Sequence, residues 1–265
     1  KKKKEEGLSF EILGVDLYHI LSWFIVYSFI GWIWESCYVS AKSKKWVNRG
    51  FVSGPFVTIY GVGAVAMILG LQCFKKNNYT LFFGGFLVGS IVEYIISYLG
   101  EVIFKVNWWD YSNNFLNING RICFTFSLFW GLLALYLIRH FNPIIDKLID
   151  KTKEKVPMKY LKTLVVVGTV FLAIDGLLTA FALKLFFERT VYSYNLDVIN
   201  KNKYINSYER VLEMENTAEL ANKVFSDKKI LRTFPNLKLK AQDGELIYMS
   251  SIYTDIQPYY YKFNF

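Results

Sequence analysis

The chain is poor in the residues that cross-link proteins or bind metals. It contains only two histidines and three cysteines among 265 residues. The cysteines, Cys37, Cys73 and Cys123, show no CxxC spacing, and each falls in or beside an apolar segment. This pattern supports neither a disulfide framework nor a zinc site. We therefore expect three unlinked thiols packed as small hydrophobic side chains, with no metal site and no cofactor.

Motifs of common hydrolytic enzymes are also missing. The sequence contains no GxxxxGK[ST] phosphate loop, no HExxH zinc motif and no GxSxG nucleophile elbow. We expect no nucleotide hydrolysis through a phosphate loop of this chain. If ATP drives its activity, the ATPase is expected to be a separate subunit.

Apolar residues, in contrast, are abundant and clustered. The chain is 53% hydrophobic, and its mean hydropathy is +0.24, which is too apolar for an ordinary water-soluble domain. A spanning helix needs about 20 mostly apolar residues to cross a hydrocarbon core of roughly 30 Å. Five windows meet this requirement: residues 17–38, 54–74, 80–104, 121–141 and 163–187. The pattern predicts an all-α, polytopic membrane helix bundle with about five transmembrane helices and a small C-terminal soluble appendage.

The windows and the polar segments between them predict five regions. Beyond the fifth window, charge and asparagine content rise, which indicates a soluble region. The predicted regions are a basic N-terminal tail at 1–16, a four-helix membrane core at 17–141, an amphipathic basic connection on the membrane surface at 142–162, a fifth transmembrane helix at 163–188 and the appendage at 189–265.

The net charge of +9 is compatible with nucleic acid binding, but the distribution of the basic residues favours a membrane. Lysines and arginines lie in the connections between apolar windows, where cytoplasmic loops collect positive charge. We therefore expect a lipid bilayer as the partner and no nucleic acid. Lys1 to Lys4, Lys75, Lys76 and the segment 139–162 favour a cytoplasmic N-terminus and an external appendage, whereas Lys42, Lys44, Lys45, Arg49, Lys105 and Arg121 oppose it.

Ionisable residues inside the apolar windows are the candidates for function. A charge at the bilayer centre costs roughly 2.5 to 3.5 kcal/mol on insertion scales, so it needs a partner or water. Ser90, Glu93, Ser97 and Glu101 are spaced three or four residues apart, which places them on one stripe of the third helix. We expect this stripe to face protein or water.

Fixed charges on the neighbouring helices could complete a polar cluster. Arg49 and Arg121 stand at helix margins, where a guanidinium can bind a carboxylate in bidentate geometry, and Glu35 lies near the end of the first helix. We predict that these three residues, Glu93 and Glu101 form one cluster between helices one to four. The alternative is that the charges pair only to fix helix register. Asp175 stands alone in the fifth window, followed by Gly176, and is expected to face a neighbouring helix or a second subunit.

The connection after the third window contains the sequence WWDYS at residues 108–112. Trp108 and Trp109 are typical of residues that anchor a helix end at the membrane interface. Alternatively, the loop folds back over the polar cluster and lines a binding cavity, because irregular backbone at that depth is tolerated only beside protein or water.

Four segments in this order resemble the ABC transporter type IV, or CmpB-like, permease family. They read GWIWESCYVS, KKWVNRGFVSGPFVTIYGVGA, EYIISYLGEVIF and WWDYSNNFLNINGRICFTFSLFWGLL, and the resemblance covers residues 17–141. Thr58 stands where the family pattern has proline. The resemblance implies a transporter permease architecture, and its motif positions supply the candidate binding residues: Glu35, Asn48, Arg49, Tyr60, Glu93, Glu101, Trp109, Asp110, Tyr111, Asn119 and Arg121.

Three functions remain open at this stage. The first is a permease subunit, with a separate ATPase subunit and dimerisation, since five helices are few for a solitary transporter. The second is a membrane-embedded enzyme acting on a lipid or isoprenoid headgroup, with a glutamate as acid or base. The third is a membrane-anchored sensor or partner-binding protein in which the appendage carries the function.

Overall fold

The computed structural model describes residues 10–44, 46–50, 54–104, 109–214, 219, 223–234, 237–256 and 260–261. The predicted features at Lys1 to Lys4, Lys45, Lys105 and Trp108 lie outside these residues. The α-helices are α1 (Leu17–Ser43), α2 (Thr58–Gly70), α3 (Asn78–Leu99), α4 (Phe124–Tyr136), α5 (Asn142–Lys155), α6 (Met158–Tyr194), α7 (Lys201–Leu212), α8 (Asp227–Thr233) and α9 (Met249–Ile252). A 3-10 helix covers Gln72–Phe74, and π-helical turns cover Gly100–Phe104 and Leu137–Phe141.

Strands are short and pair only in twos in the described part of the chain. They are β1 (Glu11–Ile12), β2 (Val15–Asp16), β3 (Trp46–Val47), β4 (Lys238–Lys240), β5 (Leu246–Tyr248) and β6 (Tyr260–Tyr261). The antiparallel pairs are β1 with β2, β3 with β6, and β4 with β5. The prediction of an all-α helical bundle is therefore confirmed.

Within the described residues, four helical segments are long and apolar enough to cross a membrane: Leu17–Ala41, Asn78–Val102, Phe124–Lys155 and Met158–Tyr194. The third of these runs without a break through α4, a π-turn and α5. It ends because Val156 is extended, as expected for a residue that precedes a proline, here Pro157.

The remaining predicted span, at 54–74, contains a shorter helix. Helix α2 has 13 residues, about 20 Å at 1.5 Å per residue, which is less than a hydrocarbon core of roughly 30 Å. The sequence predicts a helix with Pro55 in its first turn, but α2 begins at Thr58. Val57 is extended, and its N–H donates to the carbonyl of Ser28 on α1 at 3.0 Å, which holds the preceding segment out of the helix.

The chain divides into two compact units. The first comprises residues 1–31, 56–99 and 108–173, and the second comprises 32–55, 100–107 and 174–265. The division falls within α1 and within α6, so each of these helices contributes to both units.

Helices α3 and α4 pack closely in the first unit because glycines line their contact. A Cβ on Gly89 would lie 2.5 Å from the Cβ of Trp130, and one on Gly131 would lie 2.7 Å from the ring of Phe82. Small residues allow this approach in a bilayer, where no hydrophobic force draws helices together. The buried core of the unit is formed by α1 to α5 and the start of α6, and includes Trp23, Ile68, Leu71, Leu81, Ala134 and Ile145.

The second unit has its own core at the end of α6. Phe186, Phe187 and Val191 are completely buried there, together with Ile230 of α8 and Met249 of α9. Arg189 reinforces this core, since its guanidinium binds the Asp227 carboxylate through Nε at 2.9 Å and also donates to the carbonyl of Phe225.

Candidate functional site

Glu93, on α3, lies in a pocket of neutral hydrogen-bond donors. Its side chain is only 6% exposed. The hydroxyl of Tyr111 donates to Oε1 at 3.1 Å, and the indole N–H of Trp130 donates to Oε2 at 2.8 Å. Both carboxylate oxygens are therefore bound, but neither donor carries a charge. Glu93 faces protein, as the stripe pattern predicts.

Serines continue the buried stripe above and below Glu93. Ser90 and Ser97 are buried on α3, as is Ser127 on α4. The Ser90 hydroxyl lies 2.6 Å from that of Ser127 and donates to the carbonyl of Phe86. A polar strip thus crosses the contact between α3 and α4.

Glu101 does not follow this stripe. It is exposed, and the chain changes from α to π geometry at Gly100–Phe104. A π-turn has more residues per turn than an α-helix, so the angular spacing that relates Glu101 to Ser97 is lost.

The loop between the π-turn that follows α3 and the start of α4 folds into a defined structure next to Glu93. The N–H of Tyr111 donates to the carbonyl of Gly120 at 2.8 Å, and the indole of Trp109 donates to the carbonyl of Arg121 at 2.8 Å. The Tyr111 ring stacks on Phe126 of α4, with centroids 4.5 Å apart and planes 13° apart. These contacts aim the Tyr111 hydroxyl at Glu93.

Burial, and after it the neighbouring Glu93 carboxylate, raises the pKa of Tyr111 well above the ordinary value of a tyrosine. The hydroxyl therefore keeps its proton at any physiological pH. Tyr111 is a permanent hydrogen-bond donor in this site.

A tight turn at Asn119 and Gly120 closes the loop. Both residues have positive φ angles, 53° and 66°, which is the geometry that the dipeptide Asn-Gly adopts most readily. A Cβ on Gly120 would lie 2.6 Å from the hydroxyl of Ser112 and 2.7 Å from Oδ1 of Asp110. That Asp110 oxygen accepts hydrogen bonds from the N–H and the hydroxyl of Ser112.

Arg121 lies against aromatic rings of α3. Its guanidinium carbon is 5.4 Å from the ring centre of Tyr94 and 5.5 Å from that of Tyr98, within the range of cation–π attraction. The Asn119 side-chain amide donates to the Tyr94 hydroxyl at 2.9 Å. Asn119 and Arg121 therefore fasten the loop to the third helix.

The second unit contains a polar set at the end of α1. Nε and a terminal nitrogen of Arg49 bind one oxygen of Glu35, at 3.0 and 2.8 Å. The two nitrogens share Oε1, so the geometry is not the two-oxygen fork expected from the sequence. Asn48 accepts hydrogen bonds from the indole of Trp32 at 2.7 Å and from the N–H of Gly50 at 2.9 Å.

The residues predicted to form one cluster are distributed between the two units. Glu93, Trp109, Tyr111, Asn119 and Arg121 belong to the first unit, with Asp110 in the same loop. Glu35, Asn48 and Arg49 belong to the second. Tyr60 is exposed on α2, and its ring occupies the space that a side chain at Gly31 would fill.

Trp130 is the residue of this site that the sequence analysis missed. It lies in the middle of the fourth apolar window, where an aromatic residue gives no functional signal of its own. The sequence contains an indirect signal for such a residue. Glu93 lies inside an apolar window, and a carboxylate there needs hydrogen-bond donors from the neighbouring helices.

A second buried network, at the other end of the first unit, was also missed. The indole of Trp23 donates to Asp146 at 2.7 Å, and the Tyr27 hydroxyl donates to Asn142 at 2.9 Å. Asn142 in turn donates to Asp146 at 3.0 Å. This network joins α1 to α5, so α5 packs against the bundle through its polar as well as its apolar residues.

The described side chains form no cluster of histidine, cysteine and carboxylate ligands of the kind that holds zinc. Among those residues, no group of three or more His, Cys, Asp or Glu is placed to hold a metal ion. The chemistry that the Glu93 set offers is hydrogen bonding and charge attraction.

Long apolar helices with a buried, hydrogen-bonded carboxylate between two of them define a multi-pass helical membrane protein. The profile of the family ABC_trans_CmpB, described as "Putative ABC-transporter type IV", matches residues 22–180, more than half of the chain. The chain belongs to this family, as the motifs indicated. No curated protein and no solved structure matches it.

Proposed function

We propose that the chain is the permease subunit of a transporter and that it binds a small solute at Glu93. The site consists of Glu93, its two donors Tyr111 and Trp130, and the aromatic loop that carries Trp109. The observation that supports this proposal best is that both groups bound to the buried Glu93 carboxylate are neutral.

The charge balance at Glu93 indicates the chemistry of the solute. A carboxylate that served only to fix helix register would be expected to pair with an arginine or a lysine. Each carboxylate oxygen has two lone pairs and here accepts one hydrogen bond, so acceptor capacity remains. The neighbouring rings of Tyr111 and Phe126 favour a cationic group. The solute is therefore a small molecule with an amine.

A separate ATPase subunit supplies the work in this proposal. Membership of an ABC-transporter family supports it, and the sequence holds no phosphate loop. Two copies of the chain form the pathway, since four long spans and one short apolar helix are few for one transporter. Helix α6 supports a role at such an interface, because apolar side chains such as Leu164, Val167 and Leu177 are exposed along it.

The N-terminus is cytoplasmic in this proposal, and the C-terminal region from 189 lies outside. This topology needs five crossings, so α2, together with the extended segment before it and the 3-10 helix after it, is proposed to cross the bilayer as well. The basic helix α5 then meets the anionic inner leaflet. Its last turn contains Lys153 and Lys155, which attract acidic lipid headgroups.

A ligand screen on the purified protein in nanodiscs tests the solute site. The variants are Glu93→Gln and, as a matched control, Glu154→Gln, which changes an exposed glutamate of α5. Small amines are screened for an increase in the unfolding temperature. The proposal predicts a compound that raises the unfolding temperature of the wild type and of Glu154→Gln, but not that of Glu93→Gln.

Two results of that work would contradict the proposal. One is a ligand whose effect is the same in Glu93→Gln as in the wild type. The other is chemical conversion of a bilayer lipid by the wild type and not by Glu93→Gln, which would establish a membrane enzyme. The ATPase subunit is tested separately, by tandem affinity purification followed by measurement of ATP hydrolysis in the purified complex.

A further inference from the structure

Helix α6 carries a buried acid that the solute site does not use. Asp175 is 2% exposed, and neither of its carboxylate oxygens has a hydrogen-bond partner among the described residues. It lies near the middle of the most apolar span, Met158–Tyr194. A carboxylate in this setting needs a positive charge, because an uncompensated charge in a low-dielectric interior is very costly.

Thr179 adds a third oxygen to the same face. It follows Asp175 by four residues, so the two side chains are neighbours on the helix surface. Thr179 is 4% exposed, and its hydroxyl also has no hydrogen-bond partner in the part of the chain that the structure covers.

The orientation of this hydroxyl differs from that of other threonines on α6. Thr163, Thr169 and Thr190 each donate to the carbonyl four residues earlier, at 3.0, 2.8 and 2.7 Å. Such bonds are the usual way for a threonine to satisfy its hydroxyl within an apolar helix. Thr179 does not make this bond, so its oxygen is available beside the carboxylate.

The burial of the pair limits what can bind there. Exposures of 2% and 4% favour a compact ligand over the side chain of a partner helix. A cation bound to the Asp175 carboxylate is also within reach of the Thr179 oxygen, because the two residues are neighbours on the helix surface. A monovalent ion leaves the site neutral, and a divalent ion would leave it positively charged in the membrane.

We propose that Asp175 and Thr179 form an intramembrane binding site for an alkali cation of the size of Na⁺. Carboxylate and hydroxyl oxygens are hard ligands that suit such an ion. The site is independent of Glu93, which belongs to the other unit.

Thermal unfolding of the full chain in nanodiscs tests this site. Unfolding temperatures are measured in NaCl, LiCl, KCl and N-methylglucamine chloride at one ionic strength and one pH. We expect Na⁺ to raise the unfolding temperature of the wild type in a saturable manner. Asp175→Asn is expected to remove this effect, and Thr179→Val to weaken the apparent Na⁺ affinity at least tenfold.

Two controls keep the interpretation specific. Thr169→Val removes a threonine of the same helix that is bonded to its own backbone, and it should respond to Na⁺ like the wild type. Glu93→Gln should also respond like the wild type, which separates this site from the solute site. If Asp175→Asn does not fold, the comparison of Thr179→Val with Thr169→Val decides.

The proposal is wrong if the wild type unfolds at the same temperature in all four salts. It is equally wrong if Asp175→Asn keeps the Na⁺ effect, if Thr169→Val loses as much affinity as Thr179→Val, or if the protein responds to pH and not to the alkali ion.

Discussion

The indole N–H of Trp130 donates to Oε2 of Glu93 at 2.8 Å, across the contact between α4 and α3. Helices α3 and α4 approach closely enough for this bond because residue 89 is a glycine. A Cβ at that position would lie 2.5 Å from the Cβ of Trp130. The buried carboxylate and the packing of the two helices are therefore coupled.

Replacing Trp130 by phenylalanine removes the donor and keeps an aromatic ring. The Glu93 oxygen then loses its partner in a buried site, and we expect the free energy of unfolding to fall by about 1–2 kcal/mol. Denaturation in mixed micelles measures this change. Trp34→Phe is the control, because Trp34 is 68% exposed. Equal losses in the two variants would contradict a role for the Trp130 hydrogen bond.

Alanine at Gly120 should destabilise the loop that carries Tyr111. The φ angle of 66° costs an alanine about 1–2 kcal/mol, and its Cβ would also contact Ser112 and Asp110. Gly14→Ala isolates the backbone effect, since Gly14 has a φ of 74° and no atom within 4 Å of a Cβ. Gly63→Ala has neither problem and should be neutral or slightly stabilising.

We expect Gly120→Ala to lower the unfolding temperature more than Gly14→Ala does, and Gly63→Ala not to lower it. Solute binding in Gly120→Ala should weaken as well, because the Tyr111 hydroxyl would be displaced from Glu93. If Gly120→Ala unfolds at the same temperature as the wild type, the loop does not contain the proposed turn at Asn119 and Gly120.

Alkaline pH should destabilise the second unit. Burial, with the nearby Asp227 carboxylate as a smaller cause, raises the pKa of Tyr253 to about 12, and burial raises the pKa of Tyr204 to about 12. An unfolded tyrosine has a pKa of about 10. The folded state therefore holds these protons more tightly, and this contribution to stability is complete below pH 10 and is lost as the pH approaches 12.

Tyr253→Phe tests this pH dependence. The variant loses the hydrogen bond between Tyr253 and Thr190, so it should be less stable at neutral pH. Between pH 10 and 12, however, its stability should fall less steeply than that of the wild type. Tyr248→Phe, at an exposed position, is the control. An unchanged slope in Tyr253→Phe would contradict the assignment.

The orientation can be tested with the native thiols, since Cys37 and Cys73 are exposed and Cys123 is buried. In the proposed topology Cys37 lies at the outer face and Cys73 at the cytoplasmic face. In intact cells, a membrane-impermeant maleimide should label a variant that retains only Cys37. A variant that retains only Cys73 should be labelled only after the cells are permeabilised. The opposite labelling pattern would show that the topology is inverted.

The helices were predictable from the sequence because apolar composition is a local property. The spans follow from runs of apolar residues, and the inward position of Glu93 follows from the cost of a carboxylate in lipid. In one of the two interpretations of the loop at 108–112 it folds back over the polar cluster, and Tyr111 contacts Glu93 on α3.

The contacts of the site were not predictable in the same way. The bond between Glu93 and Trp130 joins positions 37 residues apart and depends on how α3 and α4 are rotated against each other. The position of the Arg121 guanidinium over the rings of Tyr94 and Tyr98 likewise depends on how the loop folds onto α3. The exposure of Glu101 results from a π-turn, a change of backbone geometry that the spacing of apolar residues does not predict.

Uptake of the solute identified by the nanodisc screen is the most direct test of the account. Proteoliposomes contain the chain with its ATPase subunit, and initial rates are compared for the wild type, Glu93→Gln and Glu154→Gln. The account predicts ATP-dependent uptake by the wild type and by Glu154→Gln, with at least a tenfold lower rate for Glu93→Gln at equal protein incorporation. Uptake by Glu93→Gln at the wild-type rate and with the wild-type KM would contradict it.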